Sequence, residues 1–190
     1  MSDYDTAYFK KINAEEGEQA ERLANVLAWK YNPKSVLDIG CASGLYLKPF
    51  TDLGIKIHGV DYSEAAVDDS VLQVPRSVIE VADITKQSVK SRADLTMSVE
   101  VLEHIPAAGA ETAIKHIAQT SKLIFFTAAQ PGQGGVGHVN CQPKQYWQEL
   151  FAKQGFKRDI QDENYIRTIM ASGYHMGWLI NNLMIFKKSK

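Results

Sequence analysis

Residues 36–44 of this chain read VLDIGCASG, and they carry the clearest evidence of its fold class. Residues Ser35 to Ile39 have the pattern of a short buried strand, and Gly40 and Gly44 follow in a turn that leads into a helix. A strand, a glycine-bearing turn and a helix in this order are typical of a sheet built from βαβ units. Glycine has no Cβ, so the backbone at Gly40 and Gly44 can approach a ligand closely. Since ligands of such sheets lie outside the carboxyl ends of the strands, the turn is the expected binding position.

Asp38 indicates which kind of ligand this turn binds. A carboxylate at the strand end repels a pyrophosphate and attracts an ammonium group. S-adenosylmethionine carries an α-amino group and a sulfonium, and no phosphate. The G-x-G-x-x-G spacing of dinucleotide folds is also missing, because the first glycine after Gly40 is Gly44. The pattern favours the methyl donor, and a dinucleotide-dependent oxidoreductase is the rival enzyme class.

Two further carboxylates follow the next two predicted strands. Asp61 comes 21 residues after Gly40, close to the offset of about 20 at which an acidic residue accepts hydrogen bonds from ribose hydroxyls. Asp83 follows the third strand and could accept from the adenine amino group, while Ile84 packs on the ring. Three acids after three successive strands predict a binding site for an adenosyl compound.

The runs VLDIGCASGLYLKPF (36–50), GVDYSE (59–64), ADIT (82–85) and DLTMSVEVLEHIP (94–106) resemble motifs I to IV of the class I S-adenosylmethionine-dependent methyltransferases. They are especially similar to the UbiE/UbiG-like group of small-molecule enzymes. One departure is Ala42, where the family has a glycine. The resemblance implies that S-adenosylmethionine contacts Asp38, Gly40, Asp61 and Asp83, and that S-adenosylhomocysteine is the product. We expect further contacts from their neighbours and from the end of strand four: Cys41, Gly44, Tyr62, Ile84, Ser98 and Glu100.

The fold class that the resemblance implies is α/β, a Rossmann-like, doubly wound sheet of seven strands with helices on both faces. The sheet is mostly parallel, with the last strand antiparallel beside strand five. We predict one domain over residues 1–190, with a helical cap over 1–33 and the core over 34–190. The predicted strands are 35–39, 56–60, 77–81, 94–99, 122–127, 156–160 and 182–187. Helices are predicted at 14–29 after an Asn13 cap, 45–53, a short stretch capped by Ser63, 106–120 and 143–154, with mixed helix and loop over 162–178.

His138 and His104 are the predicted catalytic residues. Methyl transfer from a sulfonium is an in-line displacement, so the protein mainly has to align the acceptor and remove its proton. Both histidines follow strands whose carboxyl ends face the donor, and an imidazole accepts protons near neutral pH. Glycines at 132, 134, 135 and 137 precede His138 and would let its loop close over a substrate. The segment around His104 has a structural alternative, which is packing at a helix entry.

A metal-assisted reaction is a second possibility. Glu100, Glu103 and His104 have spacings of three and four residues, and with His138 they would make two carboxylates and two imidazoles for a divalent ion. Some relatives, including small-RNA 2′-O-methyltransferases and UbiG-type enzymes, use a Glu-x-x-Glu-His segment in this way. The prediction is a site without a metal, with metal-assisted transfer as its alternative.

The acceptor is predicted to be a small molecule, methylated on oxygen or, as second choice, on nitrogen. Strand four ends without the Asp/Asn-Pro-Pro-aromatic motif of base-amino methyltransferases, and Cys141 lacks the preceding proline of cytosine C5 enzymes. The acceptor would meet Tyr4, Tyr8 and Phe9, the loop 130–140 and residues 165–178. A non-catalytic subunit that only binds the donor is the alternative from another class.

The composition bears on which classes of partner the protein has. The net charge of −1 argues against a nucleic-acid partner held by counterion release. No apolar run approaches the roughly 20 residues that span a bilayer, so no membrane partner is expected. Only two cysteines occur, which favours a reducing, cytoplasmic location.

Overall fold

A computed structural model describes residues 5–172 and 177–189, which form one seven-stranded sheet flanked by helices. The helices are α1 (Thr6–Tyr31), α2 (Lys48–Asp52), α3 (Ala107–Ile117), α4 (Lys144–Lys153), α5 (Ile160–Ala171) and α6 (Gly177–Asn182). The strands are β1 (Ser35–Ile39), β2 (Lys56–Asp61), β3 (Ile79–Val81), β4 (Leu95–Val99), β5 (Leu123–Thr127), β6 (Phe156–Arg158) and β7 (Met184–Lys188).

The strand order across the sheet is β3-β2-β1-β4-β5-β7-β6. The pairs among β1 to β5 are parallel, and β7 is antiparallel to both β5 and β6. The predicted fold class and the antiparallel last strand are therefore confirmed. Order along the chain reverses between β1 and β4, and that switch point is where a doubly wound sheet binds its ligand.

Alternating side chains give the sheet two cores. Leu37, Ile39 and Phe126 point to one face, where α3 and α4 cover them. Their neighbours Val36 and Phe125 point to the other face, which α1, α2, α5 and α6 cover. The period of two is the geometry of a strand, and apolar residues at nearly every position show that both faces are buried. None of the described helices combines the length and the apolar composition that crossing a bilayer requires.

The first helix begins at Thr6, not at the predicted Ala14. Asp5 is its N-cap, and the Asp5 carboxylate accepts a hydrogen bond from the Tyr8 amide at 2.9 Å. Asn13, the predicted cap, lies inside the helix. Its side chain donates to the Val71 carbonyl (2.8 Å) and accepts from the Ser43 hydroxyl (2.6 Å), so it ties α1 to the glycine-bearing turn.

The predicted short helix after Ser63 does not form, and the segment consists of turns. The Asp61 carboxylate accepts from the Ser63 amide, and the Asp68 carboxylate accepts from the Ser70 amide. Such local side-chain bonds compete with helical hydrogen bonding. At the other end of the sheet β6 stops at Arg158, because Asp159 turns the chain into α5 by accepting from the Asp162 amide at 2.9 Å.

Candidate active site

A cavity of about 630 Å³ opens at the carboxyl edge of the sheet, at the switch point between β1 and β4. Its size lies within the range of about 300–1,000 Å³ typical of small-molecule sites. Of the residues predicted from sequence, the following line it: Asp38, Gly40, Cys41, Asp61, Tyr62, Asp83, Ile84, Glu100, His104 and His138.

The turn after β1 is shaped by positive φ angles. Gly40 has a φ of +78°, and a Cβ there would lie 2.3 Å from a methyl carbon of Val101, so no larger residue fits. Ala42 has a φ of +47°, a left-handed conformation that the Cβ of alanine disfavours. Its amide donates to Asp61 Oδ2 at 2.8 Å, which joins the turn to the end of β2. The missing glycine is therefore tolerated, in a strained conformation.

Asp38 is the most deeply buried acid of the cavity, 2% exposed. Its Oδ1 has no hydrogen-bond partner among the described residues. Burial, with the charge of Asp61 as a second cause, raises the pKa of Asp38 to about 7. A buried carboxylate oxygen without a partner is costly, and a cation bound in the cavity would offset that cost.

Asp61 and Asp83 lie in different environments. Burial raises the pKa of Asp61, while hydrogen bonds from the backbone of Ser63, Ala42 and Tyr62 act against that rise. Asp83 accepts from the Thr85 hydroxyl at 2.6 Å and from Lys86 at 2.8 Å, and these contacts lower its pKa to about 2. Asp83 is therefore a charged acceptor that already has partners within the protein.

Gly44 and Ser98 are not among the residues that line the cavity. Gly44 has a φ of +79°, and a Cβ there would come within 2.4 Å of Val74, so its place in the fold explains the glycine. Ser98 is fully buried in β4. The structure therefore puts these two residues behind the cavity wall rather than on its surface.

Glu100 has a φ of +52° and turns its carboxylate toward residues that sequence reasoning missed. Asn182 Nδ2 donates to both carboxylate oxygens at 3.0 Å, and Gln133 Nε2 donates at 3.2 Å. Asn182 Nδ2 also donates to Gln133 Oε1 at 2.9 Å. This trio links the end of β4, the loop after β5 and the last residue of α6. Gln133 and Asn182 belong to no motif, so only the fold could bring them together.

The two predicted catalytic histidines meet at the far side of the cavity, with ring centroids 4.9 Å apart. His104 Nδ1 lies 3.2 Å from the Gly137 carbonyl, and His138 Nδ1 lies 3.4 Å from the Gln133 carbonyl. Burial lowers the pKa of His104, which keeps that ring neutral. The Cys141 thiol lies 3.6 Å from His138 Nδ1.

Glu103 stands behind the histidines and is fully buried. Its Oε1 accepts from the Ala129 amide at 3.1 Å, and its Oε2 has no described partner. Burial and the charge of Glu100 raise the pKa of Glu103 to about 8. The Glu103 carbonyl accepts from the amides of Val139 and Asn140, which ties the loop of His138 to the end of β4.

Three of the four residues in the metal alternative converge. Glu103, His104 and His138 each offer a ligand atom within 4.8 Å of the others. Glu100 is not part of this group, because its carboxylate is held by Asn182 and Gln133. One carboxylate and two imidazoles suit a divalent transition metal.

Residues of α1 form another wall of the cavity. Tyr8 and Phe9, both predicted to meet the acceptor, line it together with Glu16, and Trp178 lines it from α6. Tyr165 belongs elsewhere, since it stacks on Trp29 with centroids 6.0 Å apart. Tyr4 lies outside the described residues, as do positions 173–176 of the predicted acceptor segment.

The residues present fit the methyl donor that the resemblance implies. Asp38 Oδ1 is a buried acceptor without a partner, which suits an ammonium. Asp61 lies at the end of β2, where ribose hydroxyls are read, and the apolar Ile84 faces the same cavity. The cavity therefore contains acceptors for the polar groups of S-adenosylmethionine and an apolar surface for its base.

Comparisons with known proteins agree with this geometry. The model of a family described as "Methyltransferase domain" matches residues 12–160. A ubiquinone biosynthesis O-methyltransferase of Rhodopseudomonas palustris is 32% identical over 91 residues, which are 42% of this chain and 36% of that protein. The match thus spans about a third of the length of that curated relative.

Solved structures share the fold over nearly the whole chain. DesVI from Streptomyces venezuelae superposes with a TM-score of 0.71 at 11% identity, covering 96% of this chain and 95% of that one. Magnesium protoporphyrin IX methyltransferase from Synechocystis, with bound S-adenosylhomocysteine, gives a TM-score of 0.66 at 15% identity and covers 96% and 86%. The family model covers well over half of the chain. The chain therefore belongs to the methyltransferase domain family, the class I methyltransferases whose cofactor is S-adenosylmethionine.

Proposed function

We propose that this protein transfers a methyl group from S-adenosylmethionine to an oxygen of a small-molecule acceptor, with His138 as the general base. One observation carries the proposal. A single cavity is lined on one side by the carboxylates that follow β1, β2 and β3, and on the other by two imidazoles. Carboxylates suit the donor, and imidazoles suit an acceptor that must lose a proton.

The chemistry divides between the two sides of the cavity. S-adenosylmethionine, when bound, supplies a methyl group on an electrophilic sulfonium. Asp38 and Asp61 bind and orient the polar groups of the donor, and Gly40 allows close approach of the backbone. Cys41, Tyr62, Asp83, Ile84 and Glu100 complete the proposed donor contacts, whereas Gly44 and Ser98 support the turn and the strand from behind.

His138 is the better candidate for the base. In the tautomer in which its Nδ1 donates to the Gln133 carbonyl, Nε2 keeps a lone pair, and no described residue is bonded to it. That nitrogen can accept the proton of an acceptor hydroxyl. His104 packs against the His138 ring and positions it, with its own ring held by the Gly137 carbonyl.

Loss of the base is the direct test. His138→Ala should lower turnover by about 10²–10⁴-fold while the affinity for S-adenosylhomocysteine stays unchanged. The assay uses labelled donor and a panel of phenols, catechols and amines, and His58→Ala on β2 is the matched control. Retained turnover in His138→Ala on a substrate that wild type methylates would contradict the assignment. Product analysis separates oxygen from nitrogen as the methylated atom.

A metal-assisted transfer is the second candidate, and the convergence of Glu103, His104 and His138 favours it. These three side chains would hold a divalent ion, which would lower the pKa of a bound acceptor hydroxyl. Metal analysis of purified protein and activity after chelation decide between the two. In the metal-assisted case chelation abolishes turnover, and His104→Ala is as damaging as His138→Ala. In the metal-free case chelation has no effect.

The non-catalytic alternative makes a different prediction. A subunit that only binds the donor would bind S-adenosylhomocysteine and methylate none of the acceptors. In that case His138→Ala would leave the affinity for S-adenosylhomocysteine unchanged, and neither wild type nor variant would methylate any acceptor. We also propose that the protein is located in the cytoplasm. The free thiols of Cys41 and Cys141 support this, because thiols stay reduced in that compartment.

A further inference from the structure

Glu16 is a carboxylate of the cavity that no sequence motif contains. It lies in the third turn of α1 and faces the cavity beside Tyr8, Phe9 and Ile12. The structure gives its Oε2 one partner, the Tyr46 hydroxyl at 3.0 Å, and gives Oε1 none among the described residues. A charged side chain held in place at one oxygen, with the other oxygen unpaired, is suited to binding a ligand.

The charges that shift the pKa of Glu16 are those of Glu100 and Glu15, and both are negative. Burial raises the pKa of Glu16, and the charge of Glu100 raises it further. The pKa of Tyr46 is raised by burial and then by Glu16, with a smaller contribution from Asp38. The Tyr46 hydroxyl is bonded to Glu16, and Tyr46, Glu16 and Asp38 all line the same cavity.

No lysine or arginine is among the described residues that line the cavity. Of the nine residues that the structure does not describe, only Lys190 is a lysine or arginine. Lys188, at the far end of the antiparallel β7, lies toward the opposite edge of the sheet from the site. The described wall thus offers carboxylates to a cation and no side-chain cation to a carboxylate.

We infer that Glu16, oriented by Tyr46, acts with Asp38 to bind the α-ammonium group of the methyl donor, and that the site recognises the donor's amino-acid end by its ammonium rather than by its carboxylate. This rests on the proposed function, since it concerns the donor of that reaction. Two carboxylates around one ammonium form charge-assisted hydrogen bonds, which are about twice as strong as neutral ones. The second carboxylate compensates for the absence of a side-chain cation toward the donor's carboxylate.

Calorimetry with three adenosyl ligands tests the inference on wild-type protein. S-adenosylhomocysteine has both the ammonium and the carboxylate, its decarboxylated analogue keeps only the ammonium, and 5′-methylthioadenosine has neither. We expect the decarboxylated analogue to bind within about threefold of S-adenosylhomocysteine, and 5′-methylthioadenosine to bind at least tenfold more weakly. A loss of tenfold or more on decarboxylation would overturn the inference.

Single-residue variants then test whether Glu16 and Tyr46 are responsible for binding the ammonium. Glu16→Gln should weaken S-adenosylhomocysteine about tenfold and leave 5′-methylthioadenosine unchanged, and Tyr46→Phe should give a smaller loss of the same kind. Glu15→Gln is the matched control, because it changes the same charge on the neighbouring, exposed residue of α1. Equal loss of both ligands in Glu16→Gln would indicate a structural role and overturn the assignment, as would wild-type affinity. If wild-type protein bound none of the three ligands, the proposed function itself would fail.

Discussion

The imidazole of His138 lies directly against the backbone of Gly135. A Cβ added at Gly135 would come within 2.3 Å of both Cε1 and Nε2 of that ring. A Cβ added at Gly134, one residue earlier, would meet no protein atom within 4 Å. The glycines of this loop are therefore not equivalent, and one of them makes room for the proposed base.

Gly135→Ala is expected to move the His138 ring and lower turnover by tenfold or more, because the base loses its alignment with the acceptor. Affinity for S-adenosylhomocysteine should not change, since the donor contacts lie on the other side of the cavity. Steady-state kinetics and calorimetry measure the two effects. Gly134→Ala is the comparison: a Cβ there meets no protein atom within 4 Å, so the His138 ring should stay in place and turnover should fall less. Equal activity of the two variants would show that the ring position is unimportant.

Donor affinity should fall as pH decreases through about 7. Burial raises the pKa of Asp38 to about 7, so the free protein holds this side chain protonated and neutral below that pH. The ammonium of S-adenosylhomocysteine binds the charged form, and each pH unit below 7 should cost up to about tenfold in affinity. Calorimetry between pH 5.5 and 7.5 measures the slope. In Asp38→Asn the slope should largely disappear, and a flat profile in wild type would refute the role of Asp38.

Ala42→Gly should stabilise the protein. Ala42 has a φ of +47°, and a left-handed alanine costs about 1–2 kcal/mol that glycine avoids. Glycine loses about 0.5–1 kcal/mol more entropy on folding, which leaves a net gain of about 0.5–1 kcal/mol. Urea denaturation measures the change. Ala14→Gly, an exposed position inside α1, should instead destabilise by about 1 kcal/mol. Destabilisation by both substitutions would mean that the turn is unstrained.

Glu163→Gln should destabilise the fold by about 3 kcal/mol, because it leaves the Arg158 charge without its partner. Glu163 is 1% exposed and makes two 2.7 Å contacts with the Arg158 guanidinium. It also accepts from the Ile185 amide at 3.2 Å, which joins α5 to β7. The exposed pair of Lys153 and Glu111 offers the comparison, and Glu111→Gln should cost less than about 1 kcal/mol. Equal urea midpoints for the two variants would contradict this difference.

Sequence reasoning predicted those parts of the protein that depend on local pattern. The buried strands, the turn at Gly40 and the acids at three strand ends follow from periodicity and from the chemistry of the side chains. The resemblance added the antiparallel last strand, and the structure confirms it. The division into a helical cap and a core stays a prediction.

Other sequence-based predictions were wrong or incomplete because they considered only neighbouring residues, whereas the structure depends there on contacts between distant parts of the chain. Asn13 is a good helix cap by type, but Val71 and Ser43 take its hydrogen bonds in the structure. Ser63 does make a cap bond, since its hydroxyl accepts from the Ala66 amide at 3.2 Å, but the turn that it caps does not continue into a helix. Glu16, Gln133 and Asn182 carry no motif, and their proximity to the cavity arises from elements far apart in sequence.

The position of β7 has a consequence for the order in which the protein assembles. β7 is the last of the described strands along the chain, yet it lies between β5 and β6, and among the described strands β6 pairs with β7 alone. During synthesis the strands β1 to β4 of the donor half can therefore pair with one another before β7 has been made. Until then, the edge of β5 that pairs with β7 stays unpaired, and β6 is not yet part of the sheet. Asn182, which donates hydrogen bonds to Glu100 and Gln133, lies just before β7 in the sequence and is synthesised at the same stage. A nascent chain is thus expected to form its donor side before its acceptor side, because the residues of β7 are synthesised after those of β1 to β6.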